Sequence, residues 1–424
     1  MYPRPAGIPP PKLIATLRRF NLLPAIVFIP TRRGCDEAAA DVAFDRSQMH
    51  DPERQTLREA MFDEYAVANP EVRAHKHRKI LVNSGVAAHH AGHIPAWKLI
   101  VEKMMSAGML NAIFATSTVA AGVDFPARTV VLSNADARGN DGWRPLTASE
   151  LQQMTGRAGR RGRDNVGFVI LAPGQFQNPR KIAELLRSKP DPLESQFRAT
   201  YTSLLNLLDA FGTFEQVREI AAKSFAYRAV ANPDNDAARI WKPFERRARV
   251  LDHYGYLDFA AEQVTTSGKW LADLRVDRPL LLGEAIRRGI FDELKPSDAA
   301  GLVASVAADA DRDYGPGRVS GSMAYVLGNF EDVVYDVSAA EWKQGIEPVE
   351  EINYSAAMAA ERWTKGGSWA ELVNRTAAEE GDLVRLLSRT GEALRQVAAL
   401  SAADPAAAAI AREAAEQMLR EPVR

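Results

Sequence analysis

Between residues 25 and 173, short apolar runs alternate with segments of helical spacing, and this alternation restricts the fold of the chain more than any other feature. The runs are Ala25-Ile26-Val27-Phe28-Ile29, Ala112-Ile113-Phe114-Ala115-Thr116, Thr129-Val130-Val131-Leu132 and Val166-Gly167-Phe168-Val169-Ile170-Leu171. Continuous apolar strands separated by helices imply a parallel sheet covered on both faces, an α/β layer. Between two of the runs, Pro95 stands at a first helical position and Trp97, Ile100, Val101 and Met104 follow at helical spacing. Gly108 is placed to end that helix, whose stripe reads as core packing.

At 424 residues the chain is long enough for about three domains of roughly 150 residues each. From about residue 176 strand signals thin out and helical ones take over, apart from a stretch near Tyr254 to Thr266 that could form the wing of a small domain. Asp404-Pro405 reads as an N-cap followed by a first-turn proline, so the Ala-rich tail is expected to be helix. Residues 45 to 80 form a polar insertion containing Arg73-Ala74-His75-Lys76-His77-Arg78-Lys79, read as a solvated helix face or, alternatively, a phosphate contact.

Composition excludes several classes. Apolar residues at 46% and charged residues at 25% are the proportions of a globular chain and argue against disordered or disulfide-dense classes. The single cysteine, Cys35, can make neither an internal disulfide nor a Cys-rich zinc site, so an intracellular, cytoplasmic setting and no metal are expected. The Pro-rich start has no apolar signal core, and no segment approaches the roughly 20 apolar residues of a membrane helix. A net charge of -1 permits local basic strips without a uniformly basic surface.

The most specific stretch is Gln153-Met154-Thr155-Gly156-Arg157-Ala158-Gly159-Arg160-Arg161-Gly162. Thr147-Ala148-Ser149-Glu150 before it has capping-box spacing and predicts a helix starting near Ala148. Glycines allow close backbone approach, and arginines three apart on a helical turn can reach one polyphosphate and neutralise charge on a transferring phosphoryl group. The alternative is a basic surface loop. Some thirty residues upstream, Ala115 to Pro126 follows an apolar run and supplies hydroxyls, Gly122 and Asp124 where open α/β sheets bind ligands. There Thr116 could hold a nucleic-acid phosphate and Asp124 a ribose hydroxyl; a strand-end turn and a capping carboxylate are the alternatives.

Together these stretches resemble motifs V and VI of superfamily 2 DEAD/DEAH-box helicases, and the fuller resemblance is to the superkiller-type, exosome-associated RNA helicases. Val27-Phe28-Ile29-Pro30-Thr31-Arg32 is similar to motif IV, and Gly85-Val86-Ala87-Ala88-His89-His90-Ala91-Gly92 to the family segment that touches the nucleic-acid backbone. The adjacent histidines could suggest a metal, but neighbours on a strand point to opposite faces. Asp191 to Tyr201 is similar to the start of the family's winged helix, and Glu380-Gly381-Asp382-Leu383-Val384-Arg385 to its C-terminal helical domain. The implied architecture is a second RecA-like lobe over 1–175, a winged-helix-like domain over 176–275 and a ratchet-type helical bundle over 276–424.

The resemblance implies that Gln153, Arg157 and Arg160 contact the nucleotide's phosphates, with Arg157 or Arg160 as arginine finger, and that Gly122 and Asp124 meet the ribose. It implies that Thr31, Arg32, His90, Gly92 and Thr116 line a single-strand track. Residues 136 to 145, with Asn140-Asp141-Gly142, would form a duplex-opening hairpin or an ordinary surface one. The final domain can also be read locally: Thr376-Ala377-Ala378-Glu379 is a second capping-box pattern, Leu383, Leu387, Leu394 and Val397 form an apolar stripe, and Arg385, Arg389, Glu392 and Gln396 a polar one. In the family such a helix lies across the strand exit, making Arg385 and Arg389 backbone contacts; the alternative is a solvated face with Arg389 paired to Glu392.

A complete motor also needs a first lobe with a phosphate-cradling loop and an acidic metal-binding motif. Gly268-Lys269 is followed by Trp270 and has Gln263 where the leading glycine belongs, while Asp36-Glu37-Ala38-Ala39 lies in a helical pattern instead of at a strand's carboxyl end. No room is left for the exosome-type arch, since Arg246 to Leu251 runs directly into Tyr254-Gly255-Tyr256-Leu257. The expectation is therefore the C-terminal half of an ATP-dependent RNA helicase, a monomer inactive alone. Its partners would be single-stranded RNA or DNA and the first lobe, which would hold most of the ATP and Mg2+. The alternatives are a DNA helicase of the same architecture or a non-catalytic scaffold built from a helicase half.

Overall fold

The computed structural model describes residues 7–45, 51–117, 127–139, 142–175, 177–195, 197–225, 233–309, 312–349 and 351–424, the side chains of 233–240 aside. The chain divides into two compact units, Met1–Pro192 and Leu193–Arg424.

The first unit runs α1 (Pro10–Arg19), β1 (Ala25–Phe28), α2 (Arg32–Phe44), α3 (Pro52–Ala68), α4 (Arg78–Ser84), β2 (Val86–His89), α5 (Pro95–Ser106), β3 (Ala112–Ala115), β4 (Thr129–Leu132), β5 (Asp136–Gly139), β6 (Gly142–Pro145), α6 (Ala148–Thr155), β7 (Phe168–Leu171) and α7 (Pro179–Arg187). Five strands make one parallel sheet in the order β2-β3-β1-β4-β7, with Ala25 level with Ala112 and Thr129. Strand residues alternate between faces. Val27, Phe114 and Val131 pack against Leu13, Ile14 and Leu17 of α1 and Cys35, Ala38, Ala39 and Val42 of α2. Ile26, Ile113 and Val130 between them are equally buried, so the sheet is covered on both sides.

All four expected runs are strands. The fifth, β2, was not expected as one of them: Val86-Ala87-Ala88-His89 has one β-branched residue and little intrinsic strand signal. The α5 stripe is buried as its spacing predicts, and Gly108 follows at φ +76°. The insertion is docked, not merely solvated. Arg58 of α3 is 2% exposed and donates from Nε to the Val82 carbonyl (2.6 Å) and from Nη2 to that of Asn83 (3.1 Å), supplying donors to the last turn of α4.

The second unit runs α8 (Tyr201–Phe211), α9 (Phe214–Lys223), α10 (Pro233–His253), β8 (Leu257–Asp258), β9 (Gln263–Val264), α11 (Thr266–Asp273), α12 (Pro279–Arg287), α13 (Pro296–Ala307), α14 (Gly321–Lys343), α15 (Tyr354–Thr364), α16 (Trp369–Thr376), α17 (Glu380–Ala398) and α18 (Pro405–Met418). β8 and β9 pair antiparallel as a ribbon two residues long on each side. One continuous apolar core extends from Tyr201 to Val423. At its centre α13 is buried from Ser297 to Ala307 and packs against α14, α15, α17 and α18, which is how a mostly apolar helix is covered on all sides.

Leu383, Leu387, Leu394 and Val397 of α17 are all fully buried, and Asp404 caps α18 by accepting from the Ala407 N–H at 2.9 Å. The second capping-box expectation is corrected. Thr376 ends α16, its hydroxyl donating to the Leu372 carbonyl (2.8 Å), and Ala377 reverses the chain at φ +52°. α17 then starts after Glu379, which makes no side-chain cap.

Candidate nucleotide and nucleic-acid interface

α6 begins at the predicted capping box. Thr147 Oγ1 accepts from the Glu150 N–H (3.2 Å) and Glu150 Oε2 from the Thr147 N–H (3.0 Å). Arg144 Nη1 adds a 2.8 Å bond to Glu150 Oε2, and this guanidinium foremost holds the Glu150 carboxyl below the usual range. Gln153 is exposed on this helix. The helix stops at Thr155, so Arg157 and Arg160 lie beyond it and not on one helical turn as expected.

The physical reason is a competing backbone pairing. The Ala127 N–H donates to the Arg157 carbonyl (3.0 Å) and the Gly159 N–H to the Ala127 carbonyl (2.7 Å), binding the arginine segment to the chain entering β4. Two glycines permit this. Gly159 has φ +92°, and a Cβ at Gly167 would stand 2.5 Å from the Ala158 oxygen. Arg160 is then held by Asp164 in a fork: Nε to Oδ2 at 2.7 Å, Nη2 to Oδ1 at 2.9 Å, with its backbone N–H on Oδ2 at 3.0 Å. The Asp164 side chain is 1% exposed, and its carboxyl is held at about 2, by Arg160 before all else. Arg157 is half-buried on the same turn; Gly122 and Asp124 lie outside the described residues.

A second group collects at the opposite edge of the sheet. Phe28, His89 and Ala115 are level in the adjacent strands β1, β2 and β3, so Thr31 and Arg32, His90 and Gly92, and Thr116 all follow the carboxyl ends of neighbouring strands. Thr31 N-caps α2, accepting from the Gly34 N–H at 3.1 Å, and Arg32 is half-buried in its first turn. Thr116 is 8% exposed and His90 2%. His90 Nδ1 accepts from the buried Gly92 N–H at 3.1 Å.

Arg385 and Arg389 belong to the second unit. Arg385 is exposed on α17. Arg389 binds Asp309 through Nη1 (2.8 Å) and Asp277 through Nη2 (2.5 Å), while Glu392 pairs with Arg395 at 2.6 Å. The alternative Arg389–Glu392 pair is thus corrected: two carboxylates from distant loops outcompete the neighbour on the helix.

The basic run of the insertion is a solvated face only in part: Arg73, Lys76 and Lys79 are exposed, but its histidines are buried. Asp36 of α2 has His90 Nε2 at 3.1 Å, His77 Nε2 at 3.2 Å and His93 Nε2 at 3.3 Å from one oxygen, Oδ1. His75 stacks on Trp97, ring centroids 3.7 Å apart. Burial pushes His75 down to about 2 and His93 to about 3; against burial, the three imidazoles facing it, His77, His90 and His93, hold the Asp36 carboxyl far below its ordinary range. His89 faces the other way, to Glu102 Oε1 at 2.8 Å, as the strand alternation requires. Sequence reasoning placed Asp36 correctly inside a helix but missed this cluster, whose members have no common spacing.

Comparison with known proteins follows the same lines. Residues 261–424 match the DSHCT (NUC185) domain family. Over 249 residues, 54% of this chain, it is 35% identical to the chloroplastic DExH-box ATP-dependent RNA helicase DExH15 of Arabidopsis thaliana, covering 21% of that protein. The human Superkiller complex protein 2 is 37% identical over 224 residues, 50% of this chain and 17% of the relative. The matched stretches are thus similar to superkiller-type superfamily 2 helicases, and the DSHCT match places the likeness in a C-terminal region. This chain is also 34% identical over 253 residues to the Probable helicase HelY of Mycobacterium tuberculosis, 58% of the chain and 27% of that protein. The chain thus spans about a sixth to a quarter of the length of the curated relatives it matches.

In the first unit β5 and β6 pair from Asp136 opposite Pro145 to Gly139 opposite Gly142, with Trp143 59% exposed; Asn140 and Asp141 lie outside the described residues. Among the described residues no helix is long and apolar enough to cross a membrane.

Proposed function

We propose that the chain is the C-terminal portion of an ATP-dependent RNA helicase. It supplies the arginine finger and part of the single-strand track to a motor completed by a first RecA-like lobe. The reading takes 1–175 as the second lobe, 176–275 as the winged-helix-like part and 276–424 as the ratchet-type bundle. The observation that carries it is the arginine turn, where paired backbone and the Asp164 fork hold Arg160 beside Arg157, three residues apart, at one edge of a parallel sheet.

The residues fit a share of the nucleotide and not all of it. Gln153, Arg157 and Arg160 present an amide and two guanidinium groups suited to phosphate oxygens. Gly268 and Lys269 do not form a cradle: they sit in α11, a Cβ at Gly268 would be 1.9 Å from the Tyr256 oxygen, and Lys269 binds Asp209 at 2.9 Å. Mg2+ held by the completing lobe would neutralise phosphate charge. A braced guanidinium costs little reorganisation when charge develops opposite it. Thr31, Arg32, His90, Gly92 and Thr116, with Arg385 and Arg389, are the proposed backbone contacts, and β5–β6 the proposed duplex-opening hairpin.

The test is ATP hydrolysis by this chain and by a longer protein carrying a first lobe, each with and without single-stranded RNA. Turnover only in the longer protein, stimulated by RNA, is the expected result; no turnover in either would favour the scaffold reading. Competition between matched RNA and DNA strands then separates an RNA from a DNA helicase, since phosphate contacts alone do not distinguish them.

A further inference from the structure

α14 (Gly321–Lys343) has two unlike faces. On the inner one Met323, Leu327, Phe330 and Val334 are buried in the core of the second unit. The outer one carries three aromatic side chains that stand largely in solvent, Tyr325 at 73% exposed, Tyr335 at 75% and Trp342 at 70%. A single exposed aromatic is ordinary, but these fall in register. Tyr325, Asp332 and Ala339 recur every seven residues, as do Gly328, Tyr335 and Trp342, and the second series follows the first by three. All six positions are exposed. Two such interleaved series form the seam along which one helix packs on another.

Gly328 points to a partner independently. It lies in the middle of the helix, where glycine is unfavourable, and a Cβ there would meet nothing within 4 Å, so no contact inside the chain calls for it. A glycine in a seam lets a facing helix approach closely, while Tyr335 and Trp342 supply the anchors.

Charge decides the occupant. Glu331 and Asp336 flank Asp332 on the two sides of the seam, and Lys343 is the one basic residue of the helix. The Tyr354 hydroxyl donates to Glu331 Oε1 at 2.6 Å and Arg288 Nη1 to Asp336 Oδ2 at 2.8 Å, which holds both flanking carboxylates in place. A second copy of the chain fits poorly, because α14 laid in register on its own copy, parallel or antiparallel, brings the two sets of three carboxylates together. Single-stranded RNA fits poorly as well, since its phosphates would face the same carboxylates.

We propose that the outer face of α14 docks a basic amphipathic helix of another protein, which lays an apolar seam along Tyr325, Tyr335 and Trp342 and sets lysine or arginine against Glu331, Asp332 and Asp336. The inference is independent of the helicase reading.

The probe is a labelled, side-chain-stapled helical peptide of about three heptads, with leucine at the seam positions and lysine at the flanking ones. It is titrated with the 424-residue chain and read by fluorescence anisotropy, beside a counterpart carrying glutamate in place of lysine. The chain should bind the lysine peptide, and the glutamate peptide at least about 10-fold more weakly. Trp342→Ala should weaken binding by about 10-fold or more, and Asp332→Lys should narrow or reverse the preference between the peptides. Gly328→Gln should weaken binding while raising the unfolding midpoint of the free chain, so that the loss cannot come from misfolding. No binding of the lysine peptide at about 100 μM, equal binding of the two peptides, or binding indifferent to Trp342→Ala would overturn the proposal. So would a dimer in analytical ultracentrifugation that Trp342→Ala abolishes, which would make a second copy the occupant. Single-stranded RNA binding lost in the same variant would overturn it in favour of RNA.

Discussion

Arg160 and Asp164 form a forked ion pair four residues apart outside any helix, with guanidinium Nε and Nη2 at 2.7 and 2.9 Å from the two carboxylate oxygens. The carboxylate also accepts the Arg160 backbone N–H, so one nearly enclosed side chain fixes both the position of the arginine and the turn that carries it. In an arginine-finger assignment Asp164 acts through Arg160 as a positioning residue.

Asp164→Asn should therefore cost the first unit about 1–3 kcal/mol, the range for a hydrogen-bonded charge. Because the folded carboxyl is held at about 2, its stabilisation is full above the unfolded value near 3.9 and is lost as pH falls through about 2. Acid titration of unfolding free energy should be flatter in the variant between about pH 4 and 2. A wild-type slope there would remove the pair's role.

In a two-lobed protein Arg157→Ala or Arg160→Ala should lower ATP turnover by about 10³-fold or more for whichever residue is the finger. Steady-state hydrolysis with saturating RNA measures it. Near wild-type turnover in both variants would sink the assignment.

Gly167→Ala places a Cβ 2.5 Å from the Ala158 oxygen and must push the arginine turn off the chain entering β4. We expect a loss of about 1–3 kcal/mol, as for overpacked sites, read from thermal unfolding. Turnover of the two-lobed protein should fall as well, although both arginines remain.

Arg385 and Arg389 should separate by readout. Arg385→Ala, at an exposed position, should leave stability within about 0.5 kcal/mol and lower the salt dependence of single-strand RNA binding by about one charge. Arg389→Ala breaks its pairs with Asp277 and Asp309 and should destabilise by about 1 kcal/mol, measured by urea unfolding. Equal effects of both on RNA binding and none on stability would contradict this division.

Thr147→Ala removes the acceptor for the Glu150 N–H and should cost about 1 kcal/mol of stability. The urea midpoint should fall with the slope unchanged.

Much of the sheet and some helix boundaries were legible because their signals are local. The four apolar runs became β1, β3, β4 and β7, the Thr147–Glu150 spacing produced the α6 cap, and Asp404-Pro405 opened α18. The similar pattern at Thr376 failed because its hydroxyl turned back to Leu372 once Ala377 took a left-handed conformation, a choice that four letters of sequence do not contain. β2 was hidden for a related reason: an Ala-rich strand owes its place to pairing with β3, not to propensity.

By itself the sequence determined the parallel layer, the helical second half and the glycine–arginine stretch that carries the family resemblance, because residue type and spacing along the chain carry that information. Only the tertiary structure decided which arginine is braced by Asp164, that Arg389 binds Asp277 and Asp309, and that Asp36 gathers His77, His90 and His93. Apart from the Arg160–Asp164 pair, these contacts join residues 41 to 112 positions apart. The cost of burying charge or imidazole there is offset by partners that adjoin only after the sheet and the helices have packed.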